Sequence, residues 1–340
     1  MNLQKIQDIL IAGAIGDAYG YAVEFDSINQ IRTKYGADGI KLSHMDRYVI
    51  SDDTQMTLFC LEALLPYLNK QIAQEDFAEI NHKIYLNYLN WFTTQHKNAK
   101  PPAKKLGFLF QGEQNQTLMS FKELYIPQAP GKTCLSALGS QRVGFIEKPI
   151  NDSKGCGGIM RVMPIALLNT SLENVFYLGC AQAAITHGHP DGYLSAGFFA
   201  GMIKCALDGM SFDTAYVTNK EILLTYTHNA SMVNYLKKYE NTLTQSLMSP
   251  EDMNSAIGEG WVGEEALGIA LYAFKTCKSF EHCLSISANH SGDSDSTASL
   301  AGQLYAAFNN LEPHYHNYLD LLDMQLVFNF ILKKLIICSS

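Results

Sequence analysis

Apolar residues along this chain recur at the spacing of an α-helix and almost never at the spacing of a strand, which restricts the fold to packed helices. In 263–277 (GEEALGIALYAFKTC), Leu267, Leu271 and Phe274 share one face at i, i+4 and i+7, and in 297–308 (TASLAGQLYAAF), Leu300, Leu304, Ala307 and Phe308 do the same. Residues 172–186 and 191–207 read as two alanine-rich helices broken at His189-Pro190-Asp191-Gly192, with Gly197 and Gly201 small enough for a neighbouring helix to approach closely. A segment near 41–50 is the one stretch where a short strand is expected, and no fixed-period repeat occurs. Residues 95–132, with four prolines, and 239–260 read as irregular segments, and neither resembles a linker. The expected fold class is all-α, with residues 1–340 forming one domain.

Composition sets limits on partners. With 47% hydrophobic and 17% charged residues the chain can fill a large core. Its formal net charge of −8 argues against a nucleic acid or an anionic membrane as partner, so an anionic ligand would need local help from backbone amides, helix N-termini or cations. The eight cysteines form no CxxC pair and several fall within apolar helical patterns, which points to buried thiols in a reducing compartment. The N-terminal stretch has the character of mature sequence, and the apolar LVFNFILKKLIICSS, interrupted by Asn329 and Lys333-Lys334, that of a core-packed final helix. A cytoplasmic location is therefore expected.

Two acidic clusters stand far apart: Ser51-Asp52-Asp53-Thr54 and Gly292-Asp293-Ser294-Asp295-Ser296-Thr297. Each precedes a helical apolar run, so helix capping explains part of each. Together they carry more charge than capping requires, and carboxylates brought together repel unless cations neutralise them. Oxygen ligands suit magnesium or manganese, and metal binding and capping both stay open on composition. An EF-hand fails, because counting from Asp293 its glycine position is Ala298 and its glutamate position Leu304. Zinc fits poorly, since neither cluster holds His or Cys.

Four further elements accompany the clusters. Gly13, Gly16 and Gly20 give a smooth helix edge suited to close packing, whereas Asp17 and Glu24 are poor core residues. The glycine-rich run Ser153-Lys154-Gly155-Cys156-Gly157-Gly158 could turn amides toward a phosphate but matches neither GxxxxGK[ST] nor GxGxxG, and a tight turn explains it equally well. In Thr186-His187-Gly188-His189 one histidine is expected to be structural and the other to be free for a ligand. Trp261 opens a helix, suited either to the core or to lining an adenine or ribose pocket.

In this order GAIGDAYGYAVEF, SDDTQMTL, GCGGIMRVMPIAL, THGHPDGYLSAGFFAGMI, GWVGEEALGIALYA and GDSDSTASLAGQLYAA resemble the ADP-ribosylglycohydrolase family over residues 13 to about 307. The resemblance implies a compact orthogonal multi-helix bundle holding two divalent cations, Mg2+ or Mn2+. By motif position, Ser51, Asp52, Asp53, Asp293, Asp295 and Ser296 would be metal ligands. Glu24 matches a glutamate beside the metals, and Asp53 or Glu24 would be the general base. Ser153, Gly155 and Gly157 match the diphosphate site, His187 a substrate contact and, less closely, Trp261 a pocket aromatic. The implied reaction is hydrolytic release of ADP-ribose from a modified protein. GDSDST and THGHPDGYL look most like the arginine-specific relatives; serine or O-acetyl linkages and an enzymatic immunity role against ADP-ribosylating toxins are the alternatives. A plugging N-terminal arm is not expected, because only 12 residues precede the first motif. Nor is a purely structural homologue, because all six ligand positions carry oxygen side chains.

Overall fold

The computed structural model describes residues 2–96, 116–243 and 247–339. Among them the chain is helical throughout, with short 3-10 turns between helices and no strand; the only ladder pairs are isolated bridges. The helices are α1 (Leu3–Tyr21), α2 (Ile28–Tyr35), α3 (Asp52–Leu64), α4 (Phe77–Thr94), α5 (Lys132–Gly139), α6 (Leu172–Ala184), α7 (Pro190–Leu207), α8 (Phe212–Leu224), α9 (Ala230–Thr242), α10 (Pro250–Ala256), α11 (Gly263–Thr276), α12 (Phe280–Ala288), α13 (Ser294–Phe308) and α14 (Gln325–Ser339).

The centre is the pair α1 and α13, which pack along their length. Close approach is possible because α1 turns its glycine edge to α13. A Cβ on Gly16 would sit 2.2 Å from the Ala298 carbonyl oxygen, and one on Gly20 would sit 2.0 Å from that of Ser294. Ile6, Ile9 and Ile15 of α1 and Leu300 and Leu304 of α13 are buried in one continuous apolar core. Hairpin α6–α7 packs alongside; α7 is buried over nearly its whole length, as a helix that is apolar on all sides must be. Leu267 and Leu271 of α11 are core residues as their spacing predicts, while Phe274 and Phe308 sit at the core edge, with ring centroids 4.5 and 5.3 Å from Phe212.

Four expectations about local structure change. The 41–50 segment forms only a 3-10 turn at Leu42–His44 and a single bridge from Tyr48 to Leu322, since it finds no partner strand. The break between α6 and α7 covers 185–189 rather than 189–192: His189 caps α7, its Nδ1 accepting from the Asp191 amide at 3.1 Å, and Pro190 takes the first helical position, where it loses no hydrogen bond. Within 239–260, α9 runs on to Thr242 and α10 is a second helix capped by Ser249. The 95–132 expectation falls partly on 97–115, outside the described residues; its described end makes 3-10 turns at Leu118–Ser120 and Lys122–Tyr125. Helix α14 buries Val327, Phe328, Ile331 and Leu335, and no helix among the described residues is long and apolar enough to cross a membrane. All eight cysteines are free; Cys60, Cys134, Cys180, Cys205 and Cys283 are buried and the other three half-buried.

Candidate active site

The two acidic clusters meet because the starts of α3 and α13 both dock on the C-terminal half of α1. Asp17, fully buried within α1, accepts the Ser51 amide at 2.9 Å, the Thr54 amide at 3.0 Å and the Thr54 hydroxyl. It thus caps α3 from another helix, while Ser51 Oγ caps it locally by accepting from the Asp53 amide at 3.2 Å. The turn into α13 depends on Gly292, which holds φ at +140° where a Cβ would lie 2.0 Å from the Glu259 carbonyl oxygen. Beyond it, the Asp293 amide donates to that same carbonyl at 2.9 Å, and Asp295 Oδ1 accepts from the Ser296 amide at 2.9 Å. Glu24, just past the end of α1, completes the group: one oxygen each from Glu24, Asp293 and Asp295 lies within 4.8 Å of the others.

Like charges held this close out of water resist ionisation. Burial first, then Asp295, Asp293, Asp52 and Asp17, push the Glu24 carboxyl up to about 10. Burial and neighbouring carboxylates also hold Asp52, Asp53 and Asp293 well above the usual carboxylate range, although the Gly131 amide, donating to Asp52 Oδ2 at 2.9 Å, opposes the shift there. Glu24 Oε2 and Asp53 Oδ2 are buried with no hydrogen-bond partner, an omission that costs about 1–3 kcal/mol each when nothing else satisfies them. An oxygen-only donor set of this kind fits a hard divalent cation, and Glu24, Asp293 and Asp295 could hold one.

The carboxylates form one wall of a cavity of about 500 Å³, the size of a small-molecule site. Size alone does not single it out, since a cavity of about 690 Å³ lies between α4 and the Glu62–Lys70 region. The convergence of buried carboxylates does. Beside them are Gly155, Cys156 and Gly157, whose 3-10 turn is tied to the start of α11 by hydrogen bonds from the Cys156 amide to the Trp261 carbonyl (3.1 Å) and from the Gly263 amide to the Lys154 carbonyl (2.8 Å). The Cys156 thiol donates to Asp293 Oδ2 at 2.7 Å. His187 lies behind this turn, and the segment Ala129–Cys134, with Lys132, closes a further side. At the mouth Trp261 and Phe25 stack with centroids 6.4 Å apart and planes 22° from parallel, Phe25 being 72% exposed.

Of the residues singled out in the sequence, Glu24, Asp52, Asp53, Asp293, Asp295, Ser296, Gly155, Gly157, His187 and Trp261 all line this one cavity. Ser51 and Ser153 stand just behind it: Ser51 caps α3, and Ser153 Oγ lies 3.2 Å from the hydroxyl of Thr133, which does line it. Phe25, Cys156 and the Ala129–Cys134 segment were not among the candidates. Phe25 and Cys156 sit inside recognised motifs, where a large apolar residue after an acid and a thiol among glycines offered some signal; Ala129–Cys134 offered none beyond a Pro-Gly turn.

Fold and site together define an all-helical enzyme with an acidic cleft assembled from distant helix starts. The chain belongs to the ADP-ribosylglycohydrolase family, whose model matches residues 2–321, and is therefore a hydrolase. It is 26% identical to mouse (Mus musculus) ADP-ribosylhydrolase ARH3 over 350 aligned positions, covering 92% of this chain and 85% of that one. It is 28% identical to the cattle (Bos taurus) ADP-ribosylhydrolase ARH3, covering 92% and 86%. A solved structure described as an ADP-ribosylglycohydrolase-related protein complex shares the fold with a TM-score of 0.62 and 19% identity, covering 99% of each chain.

Proposed function

We propose that this protein removes ADP-ribose from modified protein side chains by hydrolysing the bond at C1″ of the distal ribose, with two divalent cations, Mg2+ or Mn2+, in its acidic cleft. The observation that carries the reading is the meeting of Glu24, Asp293 and Asp295 within 4.8 Å, beside buried carboxylate oxygens that have no protein partner. Ser51, Asp52, Asp53, Asp293, Asp295 and Ser296 would hold the cations, with Glu24 next to them. Bound there, the cations supply Lewis-acid chemistry, orienting oxygen ligands and lowering the pKa of water.

The chain's own groups account for the remaining steps. The glycine turn at Gly155–Gly157 leaves backbone close to the cavity, which suits the diphosphate, and Lys132 adds a cation to the lining. Trp261 and Phe25 offer flat apolar faces for the adenine or a ribose. Asp53 and Glu24 each have a free carboxylate oxygen in the cleft, and one of them takes the proton of the attacking water. As the C1″ bond breaks, positive charge develops on the sugar and the surrounding carboxylates stabilise it.

Arginine is the linkage the sequence favours, through GDSDST at 292–297 and THGHPDGYL at 186–194. An acid-rich cleft also favours the cationic guanidinium over a neutral hydroxyl-linked chain. The test is release of free ADP-ribose from arginine-, serine- and O-acetyl-linked substrates, each with and without Mg2+. Metal-dependent release, fastest from arginine, is expected. Faster release from serine would overturn the linkage preference alone, whereas undiminished release after dialysis against a chelator would overturn the metal role.

A further inference from the structure

Beneath the cavity lies a buried cation that the chemistry above does not use. Arg161 is fully buried, with its guanidinium 4.3 Å from the face of Tyr88, and it donates to Cys134 Sγ at 3.2 Å and to Thr186 Oγ1 at 2.6 Å. Thr186 Oγ1 in turn lies 2.8 Å from Nδ1 of the cavity-lining His187. A guanidinium has only donors, so the Thr186 oxygen must accept from it, and the hydroxyl's single proton is left for another acceptor. Two acceptors are in reach: His187 Nδ1 and the Cys134 thiol. An imidazole nitrogen is by far the better acceptor, and the thiol sulfur already receives Arg161, so the hydroxyl donates to Nδ1. The ring proton then has to reside on Nε2.

That nitrogen lies against the glycine turn, in a residue that lines the cavity. A Cβ on Gly155 would stand 3.3 Å from Nε2, and one on Gly157 would stand 2.8 Å from Cε1, so side chains there would crowd the ring edge. Among the described residues none accepts a hydrogen bond from Nε2. We propose that Arg161 and Thr186 are positioning residues that lock His187 as an uncharged Nε2–H donor, so that the bound molecule must present an acceptor oxygen, from a phosphate or a sugar hydroxyl, at that point. Burial, and then the Arg161 charge, push the imidazole down to about 3, which keeps it neutral over the working range. The lock is a property of the protein alone; its use on ADP-ribose rests on the function proposed above.

The experiment is a long-range proton–nitrogen correlation spectrum of the histidine rings in the Mg2+-loaded protein between pH 6 and 8, with His187 assigned by its loss in His187→Gln. Parallel spectra of Thr186→Val and Thr186→Ser, and calorimetric titration of each with free ADP-ribose, complete it. Wild type should show a bare Nδ1 and a protonated Nε2 throughout. Thr186→Ser should keep that pattern; Thr186→Val should lose the single tautomer and bind ADP-ribose roughly tenfold more weakly, the worth of one misdirected hydrogen bond. A protonated Nδ1 in wild type, a ring that gains charge within this range, or a Thr186→Val protein that keeps the Nε2–H tautomer overturns the lock. The wild-type spectrum, once His187 is assigned, decides the first two without either Thr186 variant having to fold. Lost tautomer with unchanged ADP-ribose affinity overturns the substrate contact. The intact tautomer pattern in a protein that releases ADP-ribose from none of the three linkages refutes the proposed function and leaves the lock standing.

Discussion

At the scale of single residues, the site is a balance between carboxylates that repel one another and an arrangement that keeps them together. Asp53 shows both sides. Its amide is capped by Ser51, which fixes the helix start, while its Oδ2 is buried without a partner and burial holds its carboxyl well above the usual range. Asp53→Asn and Asp295→Ala should each lower kcat by several orders of magnitude, roughly 10²–10⁴-fold or more where a proton-transfer or charge-stabilising group is removed. Both variants should keep the helical circular dichroism spectrum, and the metal-free variants should melt no lower than metal-free wild type, because each relieves repulsion. Turnover near wild type would reduce these residues to helix caps. Asp52 and Asp53 could be picked out from the SDDT run alone, but the two free oxygens could not, because a missing hydrogen bond is a property of surroundings gathered from the whole chain.

At the scale of elements, the contact between α1 and α13 sets the site. The stripe Gly13, Gly16, Gly20 was legible as a smooth edge, and packing is what it serves. Because the Cβ of a substituted Gly20 would meet the Ser294 backbone, with no flexible side chain to move aside, Gly20→Ala must push the start of α13 away from α1. The expected cost is about 1–3 kcal/mol of stability from overpacking. Activity should fall further than stability alone explains, since Asp293 and Asp295 ride on the displaced turn; chemical denaturation beside steady-state kinetics checks this. Unchanged kcat and midpoint would show that the two helices have slack. Helix existence was readable from local periodicity, whereas the boundaries at His189 and in 239–260 depended on caps and on a second short helix with little periodicity to announce it.

For the whole molecule, gathered carboxylates link metal, protonation and stability. Asp17 is pushed up to about 7, by burial and then Asp295 despite its hydrogen bonds from Thr54 and Ser51, and Glu24 to about 10. Both lie above their values in an unfolded chain, so near neutral pH the folded state binds more protons than the unfolded state. The stabilising contribution is full below the unfolded values, near pH 4, and is lost as pH rises, at about 1.4 kcal/mol per pH unit for each proton so held. Buried His187 and His290, shifted downward, act oppositely only below about pH 6.5, so the carboxylates set the trend through most of the window from 6.5 to 8.5, joined near its upper end by buried thiols such as Cys60 and Cys134, which burial pushes up and which act in the same direction. Metal-free protein should therefore melt at a lower temperature at pH 8.5 than at pH 6.5. Mg2+ should raise the melting temperature more at the higher pH, and Glu24→Gln should flatten both trends. Scanning calorimetry with and without Mg2+ tests this, and a metal-free melting temperature that rises across the window would contradict it.

The sequence by itself determined the helical class, because a 3.6-residue period is a local property that any short window displays. It also picked out most of the residues that line the cleft, because paired acids, glycine turns and a histidine are unusual where helices otherwise want apolar side chains. Only the tertiary structure decided what those residues do to one another. Asp17 caps a helix it does not belong to, Phe25 stacks on Trp261 from the far end of the chain, and Arg161 and Thr186 set the proton on His187. None of these relations has a period or a spacing, since each depends on distances between segments that become neighbours only when the core closes around α1 and α13.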